Sequence, residues 1–220
     1  MKVTSCLLPL CLILIAPAVL ADGWSVGAGT GPFVFGKFVS RTSRIATETS
    51  VSTTTLRLTA ATRPGLAVDL ERSFSERWAA RLEGTFTESK LSVRGSGSGV
   101  HLDAGRMNVT SWALPVVFTV NPHGSINLQI FGGPAFAQYH IHAASNGSLQ
   151  PFNGSRGRGG AMAGAGVQWW MNRSLAIEAK AQDIVTASPF ERGDFPANTT
   201  GLEIAKPHNV HTTLGIRWRH

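Results

Sequence analysis

The chain has 220 residues, a formal net charge of +7, 24 glycines, two cysteines and one tyrosine, a length that suits one domain. Both cysteines, Cys6 and Cys11, fall in an N-terminal segment that reads as a secretory signal, so the segment left behind would enter an oxidising compartment without a disulfide, which excludes a small disulfide-stapled scaffold. No later stretch approaches about 18 uninterrupted apolar residues, which excludes membrane-spanning helices.

In the signal, residues 1–21, Lys2 supplies the positive start, Leu7 to Ala16 an apolar run broken by Pro9 and Cys11, and Val19-Leu20-Ala21 a cleavage point. Neither cysteine is preceded by a lipoprotein-type context, so the domain is expected to span residues 22–220. Beyond it, period-two alternation predicts strands. Gly23 to Phe38 alternates Trp24, Val26, Ala28 and Thr30 against Ser25, Gly27, Gly29 and Gly31. Its inner side is almost all glycine, as suits a narrow barrel with closely approaching walls, and a bulge is expected at Pro32, where the parity of the apolar residues changes.

Val39 to Thr54, rich in Ser and Thr, is expected to be a loop. From Leu56 to Phe74, Leu56, Leu58, Leu66, Val68 and Leu70 share one parity, and Arg57, Arg63, Asp69 and Glu71 the other. Nineteen residues far exceed the usual five or six of a soluble strand. After a turn at 73–76, Arg77 to Lys90 puts Trp78, Ala80, Leu82, Gly84 and Phe86 outward and Arg81, Glu83, Thr85 and Thr87 inward.

Leu91 to Gly105 is expected as a second loop. Met107 to Val120, with Trp112, Leu114, Val116 and Phe118 on one face, and Ser125 to Ile141 are strands joined by the turn Asn121-Pro122-His123-Gly124. Gly132-Gly133-Pro134 marks another expected bulge, and Ala143 to Gly157 a third loop. Gly160 to Met171, ending in Trp169-Trp170, turns at Asn172-Arg173 into Ser174 to Ala187, which sets Leu175, Ile177, Ala179 and Ala181 against Glu178, Lys180 and Gln182. Ser188 to Pro207 is the fourth loop. His208 to His220 closes the count at eight, with Val210, Thr212, Leu214, Ile216 and Trp218 opposite His211, Thr213, Gly215, Arg217 and Arg219.

Roughly 9–11 residues of tilted strand cross a bilayer, and in lipid only a closed barrel gives every strand a partner on each side. Long links (39–54, 91–105, 143–157, 188–207) alternate with short ones (73–76, 121–124, 172–173), so all long links fall at one end. Outer-membrane barrels have this asymmetry, with long links outside the cell and short turns in the periplasm. The expected fold is therefore all-β: a closed antiparallel eight-stranded transmembrane barrel.

The segments ERSFSERWAARLEGTF, the strand pair around NPHGS, GAGVQWWMNRSLAIEAKA and the ending LGIRWRH resemble the small eight-stranded outer-membrane barrels of the broad OmpA/OmpX/OmpW-like superfamily. The ending is similar to that family's terminal assembly signal in Trp218, Ile216 and Leu214, while His220 stands where Phe is usual. The resemblance implies a place in the bacterial outer membrane, insertion by the barrel assembly machinery through the terminal strand, contact with outer-membrane lipid and lipopolysaccharide, and a monomer with no nucleic-acid partner.

Ten charges are expected in the lumen: Arg57, Arg63, Arg81, Lys180, Arg217 and Arg219 against Asp69, Glu71, Glu83 and Glu178. Confined charges must pair, so the lumen is either a salt-bridged plug or, given its cationic excess, a selective pore for small anions. Eight strands leave an interior that side chains can fill, which favours the plug. Trp24, Trp78, Phe86, Trp112, Phe118, Trp169 and Trp218 are expected at the membrane interfaces. Arg41, Arg44, Arg94, Arg156, Arg158 and Arg192 lie in or beside the outer loops, either as solvated charges or as contacts for lipopolysaccharide phosphates and anionic host surfaces.

No catalytic residue is expected. His140 and His142, with Ser145 nearby, lack an acid to orient the imidazole, and His101 with Asp103 lies in a glycine-rich stretch. The pairs His140/His142 and His208/His211 lack further ligands, so no metal and no cofactor is expected. A surface scaffold serving membrane integrity or adhesion is the first functional expectation, and a narrow passive channel for small or hydrophobic solutes the second. A soluble lipocalin-type barrel would need a Gly-x-Trp start, whereas Gly23 and Trp24 are adjacent.

Overall fold

The computed structural model describes residues 23–47, 50–96, 101–144, 153–195 and 201–219; the segment expected to be a signal, Ser145 and His220 lie outside the described residues. The strands are β1 (Trp24–Phe35), β2 (Val39–Thr47), β3 (Ser50–Ala60), β4 (Arg63–Ser73), β5 (Trp78–Gly95), β6 (His101–Ala113), β7 (Val116–Thr119), β8 (Ile126–Ala143), β9 (Gly154–Trp170), β10 (Leu175–Thr186), β11 (Leu202–Ile204) and β12 (His208–Arg219). The wall closes through antiparallel pairs in the order β1, β4, β5, β6 with β7, β8, β9, β10, β12 and back to β1, a closed eight-stranded barrel. β6 and β7 are one wall strand interrupted at Leu114-Pro115, where proline cannot donate to the ladder.

Short turns at one end are built by side chains that cap the returning backbone. Asn172 Oδ1 accepts from the amides of Ser174 and Leu175, both at 2.8 Å, and Asn121 Oδ1 accepts from Leu128 N at 2.7 Å. The other end carries more strand than the sequence suggests. Of the four expected loops, Val39 to Thr54 contains β2 and the start of β3, and the other three are partly taken up by the ends of β5, β6 and β9 and by β11. Threonine is β-branched and suits a pleated sheet; Thr42 and Thr55 face each other across β2 and β3 with hydroxyls 3.3 Å apart. β11 adds to the outer edge of β2, where Ser40 Oγ donates to Glu203 Oε2 at 2.9 Å and Lys37 Nζ at 3.2 Å. These donors hold the Glu203 carboxyl below its ordinary pKa.

Neither expected bulge occurs. β1 keeps one register against β12 and β4 through Pro32, and β8 keeps one register against β9 through Gly132-Gly133-Pro134. What changes along β1 is the chemistry of the interior: Phe33 and Phe35 point into the lumen on the same parity as Ser25 and Gly27 lower down. Register does shift between Leu91 and Ser92 on β5, and by one residue between β3 and β4 as each pairs with β5. The second shift reverses which face points inward, so Leu58 is buried on the even parity while Ala67, Asp69 and Glu71 are buried on the odd.

The molecule is apolar outside and charged inside over its lower half. Leu214 is 63 % exposed on the outer face of β12, while Arg217 on the inner face is 0 % exposed. On β5 the outward row from Trp78 to Phe86 gives way to Glu88 and Lys90, and eight residue steps at about 3.3 Å, tilted by roughly 40°, reach roughly 20 Å, close to the apolar band of a membrane barrel. The glycine-lined inner side of β1 makes room for the charges. A methyl carbon at Gly27 would lie 2.7 Å from Asp69 Oδ2 and 3.0 Å from Arg217 Nη2. Gly27→Val is accordingly expected to destabilise the barrel by about 1–3 kcal/mol, read as a lower midpoint of heat-modifiable gel migration than that of Val26→Ala on the outer face.

Candidate functional site

Seven charged side chains meet in the lower lumen. β4 presents Asp69 and Glu71, β5 presents Arg81 and Glu83, β10 presents Glu178 and Lys180, and β12 presents Arg217. Alternate positions on a strand share a face, so each carboxylate–carboxylate or carboxylate–cation couple at i and i+2 enters the lumen together. Arg81 donates to Glu71 Oε2 from Nε at 2.9 Å and from Nη2 at 2.7 Å, and reaches across to Gln129 Oε1 at 2.9 Å and Glu178 Oε1 at 3.2 Å. Lys180 Nζ donates to Asp69 Oδ2 at 3.0 Å and Glu83 Oε2 at 2.7 Å. Arg217 binds Ser25 Oγ at 2.8 Å, Glu178 Oε2 at 3.2 Å and Asp69 Oδ1. Gln168 and Gln182 donate to Glu178 and Glu83. The result is a belt of ion pairs spanning the bore.

Three other charges expected in this network stand elsewhere. Arg57 is exposed, because the register change between β3 and β4 turns its parity outward. Arg63, the first residue of β4, is exposed beside that break. Arg219 lies past the end of the lumen, its guanidinium 4.2 Å from the centre of the Trp170 ring and donating to Arg173 O at 3.3 Å. The expected cationic excess is therefore reversed: three cations, Arg81, Lys180 and Arg217, face four carboxylates in the belt. A positively charged filter for anions does not fit this count.

Above the belt the lumen is apolar, a feature that the alternation did not suggest. Phe33, Phe35, Phe38, Leu91, Met107 and Ile141 are buried there in one cluster. Phe131 lies beneath it, with Arg81 5.3 Å from its ring centre. The one tyrosine, Tyr139, shares a hydrogen bond with Thr186 Oγ1 at 2.7 Å and accepts from Asn209 Nδ2 at 3.0 Å. The signal was present on β8, where continuing the inward parity of Asn127 and Gln129 leads to Tyr139 and Ile141.

Residues 187–195, between β10 and β11, form a strap over the mouth of this apolar section. Phe190 is 1 % exposed and packs edge-on against Phe38 at 5.8 Å. Arg156 holds Asp194 through a two-pronged pair, with Nη2 2.6 Å from Oδ1, and donates to Pro189 O at 3.0 Å. Arg158 donates to Ser188 O at 2.8 Å and to Glu191. Two of the arginines expected either as solvated charges or as contacts for lipopolysaccharide phosphates and anionic host surfaces therefore fasten the strap, and the Asp194 carboxylate within Arg192-Gly193-Asp194 is turned to Arg156. The Asp194 hydrogen bonds raise the Arg156 pKa above its ordinary value. Arg94 and Arg192 are exposed, Arg41 is half-buried, and the Arg44 side chain lies outside the described residues.

All seven aromatics expected at the membrane interfaces lie on the outer face. Trp78 and Phe118 pair across β5 and β7 at 4.8 Å near the short turns, and Arg72 sits 5.4 Å from the Trp24 ring at the same end. Trp169 and Trp218 are also at this end, adjoining Ile126 and Leu175 in register. Phe86 and Trp112 meet edge-on at 5.8 Å at the upper end of the β5 apolar row. His140 and His142 are exposed on the outside of β8, as are His101 and Asp103 at the start of β6. His208 faces outward, 2.6 Å from Asp183, while His211 is buried on the opposite face of β12. No group of three or more candidate metal ligands occurs among the described residues.

Neither a protein-family model nor the sequence of a curated protein matches the chain. Solved structures do. The outer membrane protein OprG from Pseudomonas aeruginosa superposes with a TM-score of 0.62 at 13 % identity, covering 90 % of this chain and 96 % of that one. Neisserial surface protein A superposes with a TM-score of 0.51 at 8 % identity, covering 90 % of this chain and 98 % of that one. With its apolar outer wall, ion-paired bore and alternation of short and long connections, this chain has the fold of the small eight-stranded outer-membrane β-barrels.

Proposed function

We propose that this protein is a non-enzymatic barrel of the bacterial outer membrane, a closed scaffold that carries an extracellular β-extension for membrane integrity or adhesion. The observation that carries this is the double obstruction of the bore: the ion-pair belt across the lower half and the strap with Phe190 across the upper mouth. A wall of eight strands leaves little space beyond what these side chains occupy. On this view the barrel is a monomer that enters the membrane through the assembly machinery by its terminal strand. Its partners are outer-membrane lipid and lipopolysaccharide, with no nucleic acid and no cofactor. Reconstituted into planar bilayers, it is expected to give no ion-conductance steps above the baseline; regular steps would rule the closed scaffold out.

A second function, a narrow passive channel for small or hydrophobic solutes, is favoured by one observation. Between Phe131 and Phe190 the interior is packed with apolar and aromatic side chains, an environment that suits an apolar guest and no ion. Uptake of an apolar dye into protein-containing vesicles, at a rate above that of protein-free vesicles and without ion conductance, would replace the scaffold with this channel.

A further inference from the structure

Outside the barrel, the break between β3 and β4 leaves a cleft of about 420 Å³ lined by Arg63, Pro64, Glu88, Ser89, Lys90 and Arg106. Its composition is unbalanced. Three cations face one carboxylate, and the single ion pair among them is Glu88 with Arg106 at 3.8 Å, both well exposed. Arg63 and Lys90 have no ion-pair partner among the described residues. Lys90 and Arg106 are direct cross-strand neighbours in the β5–β6 register. Like charges placed directly opposite repel, and a bridging anion would turn that repulsion into attraction. Arginine and lysine held at one level are suited to phosphate, the first through paired N–H donors and the second as a point charge.

The position of the cleft decides which phosphate. Glu88 and Lys90 follow Phe86 on the outward row of β5, and Lys90 lies directly opposite Arg106, so these cations sit four residue steps, about 13 Å along the strand, beyond the last apolar side chain of that row. Below them the wall presents Leu66, Phe86 and Trp112, with Leu66 and Phe86 paired across β4 and β5 and the Phe86 and Trp112 rings edge-on at 5.8 Å. The long connections and the β11–β2–β3 extension mark this end as the extracellular one. A molecule occupying both regions has an anionic head at the level of the cleft and apolar chains against the aromatic wall.

We propose that the cleft binds the phosphate of a phosphorylated glycolipid of the outer leaflet, gripped by Arg63, Lys90 and Arg106, with its acyl chains on Leu66, Phe86 and Trp112. The site rests on the outer-membrane placement of the barrel and not on whether the bore conducts, so the conductance measurement leaves it untouched. Fastening a lipid here would close the one place on this wall where β3 and β4 leave the ladder against β5 interrupted.

The test uses the full barrel purified in a neutral detergent. Diphosphorylated lipid A is titrated while the midpoint of heat-modifiable migration and the tryptophan fluorescence are followed. Dephosphorylated lipid A and inorganic phosphate serve as separate arms. The midpoint is expected to rise with the diphosphorylated lipid, and neither the dephosphorylated lipid nor millimolar inorganic phosphate should reproduce the rise. The combined variant Arg63→Gln, Lys90→Gln, Arg106→Gln is expected to lose at least about tenfold in apparent affinity. Should that variant fail to fold, Lys90→Gln alone, exposed and outside the barrel packing, is expected to lose at least about threefold. A control, Arg77→Gln, should bind as the parent does. Unchanged affinity in whichever variant folds, equal binding of the dephosphorylated lipid, or an equal rise with inorganic phosphate would each overturn the proposal.

Discussion

Arg217→Met is expected to destabilise the barrel by about 3–5 kcal/mol, the usual consequence of removing one partner from a buried ion pair. Arg217 is fully buried and joins Ser25 on β1, Asp69 on β4 and Glu178 on β10 to the terminal strand β12. Without it, four carboxylates share two cations, Arg81 and Lys180, in a space shielded from bulk water. The measurement is the urea midpoint of the folded, heat-modifiable form in detergent micelles. Arg57→Gln, an exposed arginine on β3, should shift that midpoint by no more than about 0.5 kcal/mol. Adding Asp69→Asn to Arg217→Met should restore part of the loss, with a coupling of about 1–3 kcal/mol, because the carboxylate left without its arginine is then neutral. Equal effects of Arg217→Met and Arg57→Gln would mean that the belt does not hold the walls together.

The belt was largely legible in the sequence, and the reason is local. In the lower half a lipid-facing side chain must be apolar, so Leu82 next to Glu83, and Leu214 and Ile216 alternating with Thr213, Gly215 and Arg217, assign the faces without knowledge of the fold. Closure and the number of wall strands follow from the same rule combined with the alternation of short and long connections. The rule stops working above the membrane. There the outer face meets water and the inner face meets other side chains, so the polarity of the two faces is exchanged while the backbone parity is not.

β5 shows the exchange within one strand. Trp78 to Phe86 are apolar and outward; Glu88 and Lys90 continue outward but are charged; Leu91 and Val93 are apolar and inward. Phe33 and Phe35 on β1 and Tyr139 and Ile141 on β8 follow the same course. Read with a single assignment of faces, these residues look like bulges or loops; Arg57 looks like a lumen charge for a separate reason, the one-residue register shift between β3 and β4 that turns its parity outward. The upper part of the barrel is instead packed as a soluble sheet is, with an apolar interior and a polar exterior. The strap was not legible at all, because Phe190 and Phe195 stand five residues apart, on opposite parities, in a polar stretch without alternation. Its place is fixed by Arg156 and Arg158, more than 30 residues away in sequence.

The belt and the strap close the bore in series, and their removal should therefore be non-additive. Replacing Arg156 and Arg158 by Gln deletes both ion pairs that hold the strap, to Asp194 and Glu191. Phe190 should then leave its contact with Phe38 for a measurable fraction of the time. A reporter is at hand, because Met107 is fully buried beneath the strap and the native cysteines, Cys6 and Cys11, both lie in residues 1–21, outside the barrel strands. In a Met107→Cys background, release of the strap is expected to raise the rate of modification by a water-soluble thiol reagent roughly 100-fold, the signature of local opening against a stable wall. Conductance should not follow, since the belt below is intact. Weakening the belt alone, by Lys180→Gln with Glu83→Gln, should likewise leave the bilayer silent, because the strap still covers the mouth. Only the two sets of changes together should give ion steps. Steps from the strap variant by itself would show that water already passes the ion pairs, and protection of the introduced thiol unchanged by strap release would place the closure on the aromatic cluster of Phe33, Phe35 and Phe38 rather than on Phe190.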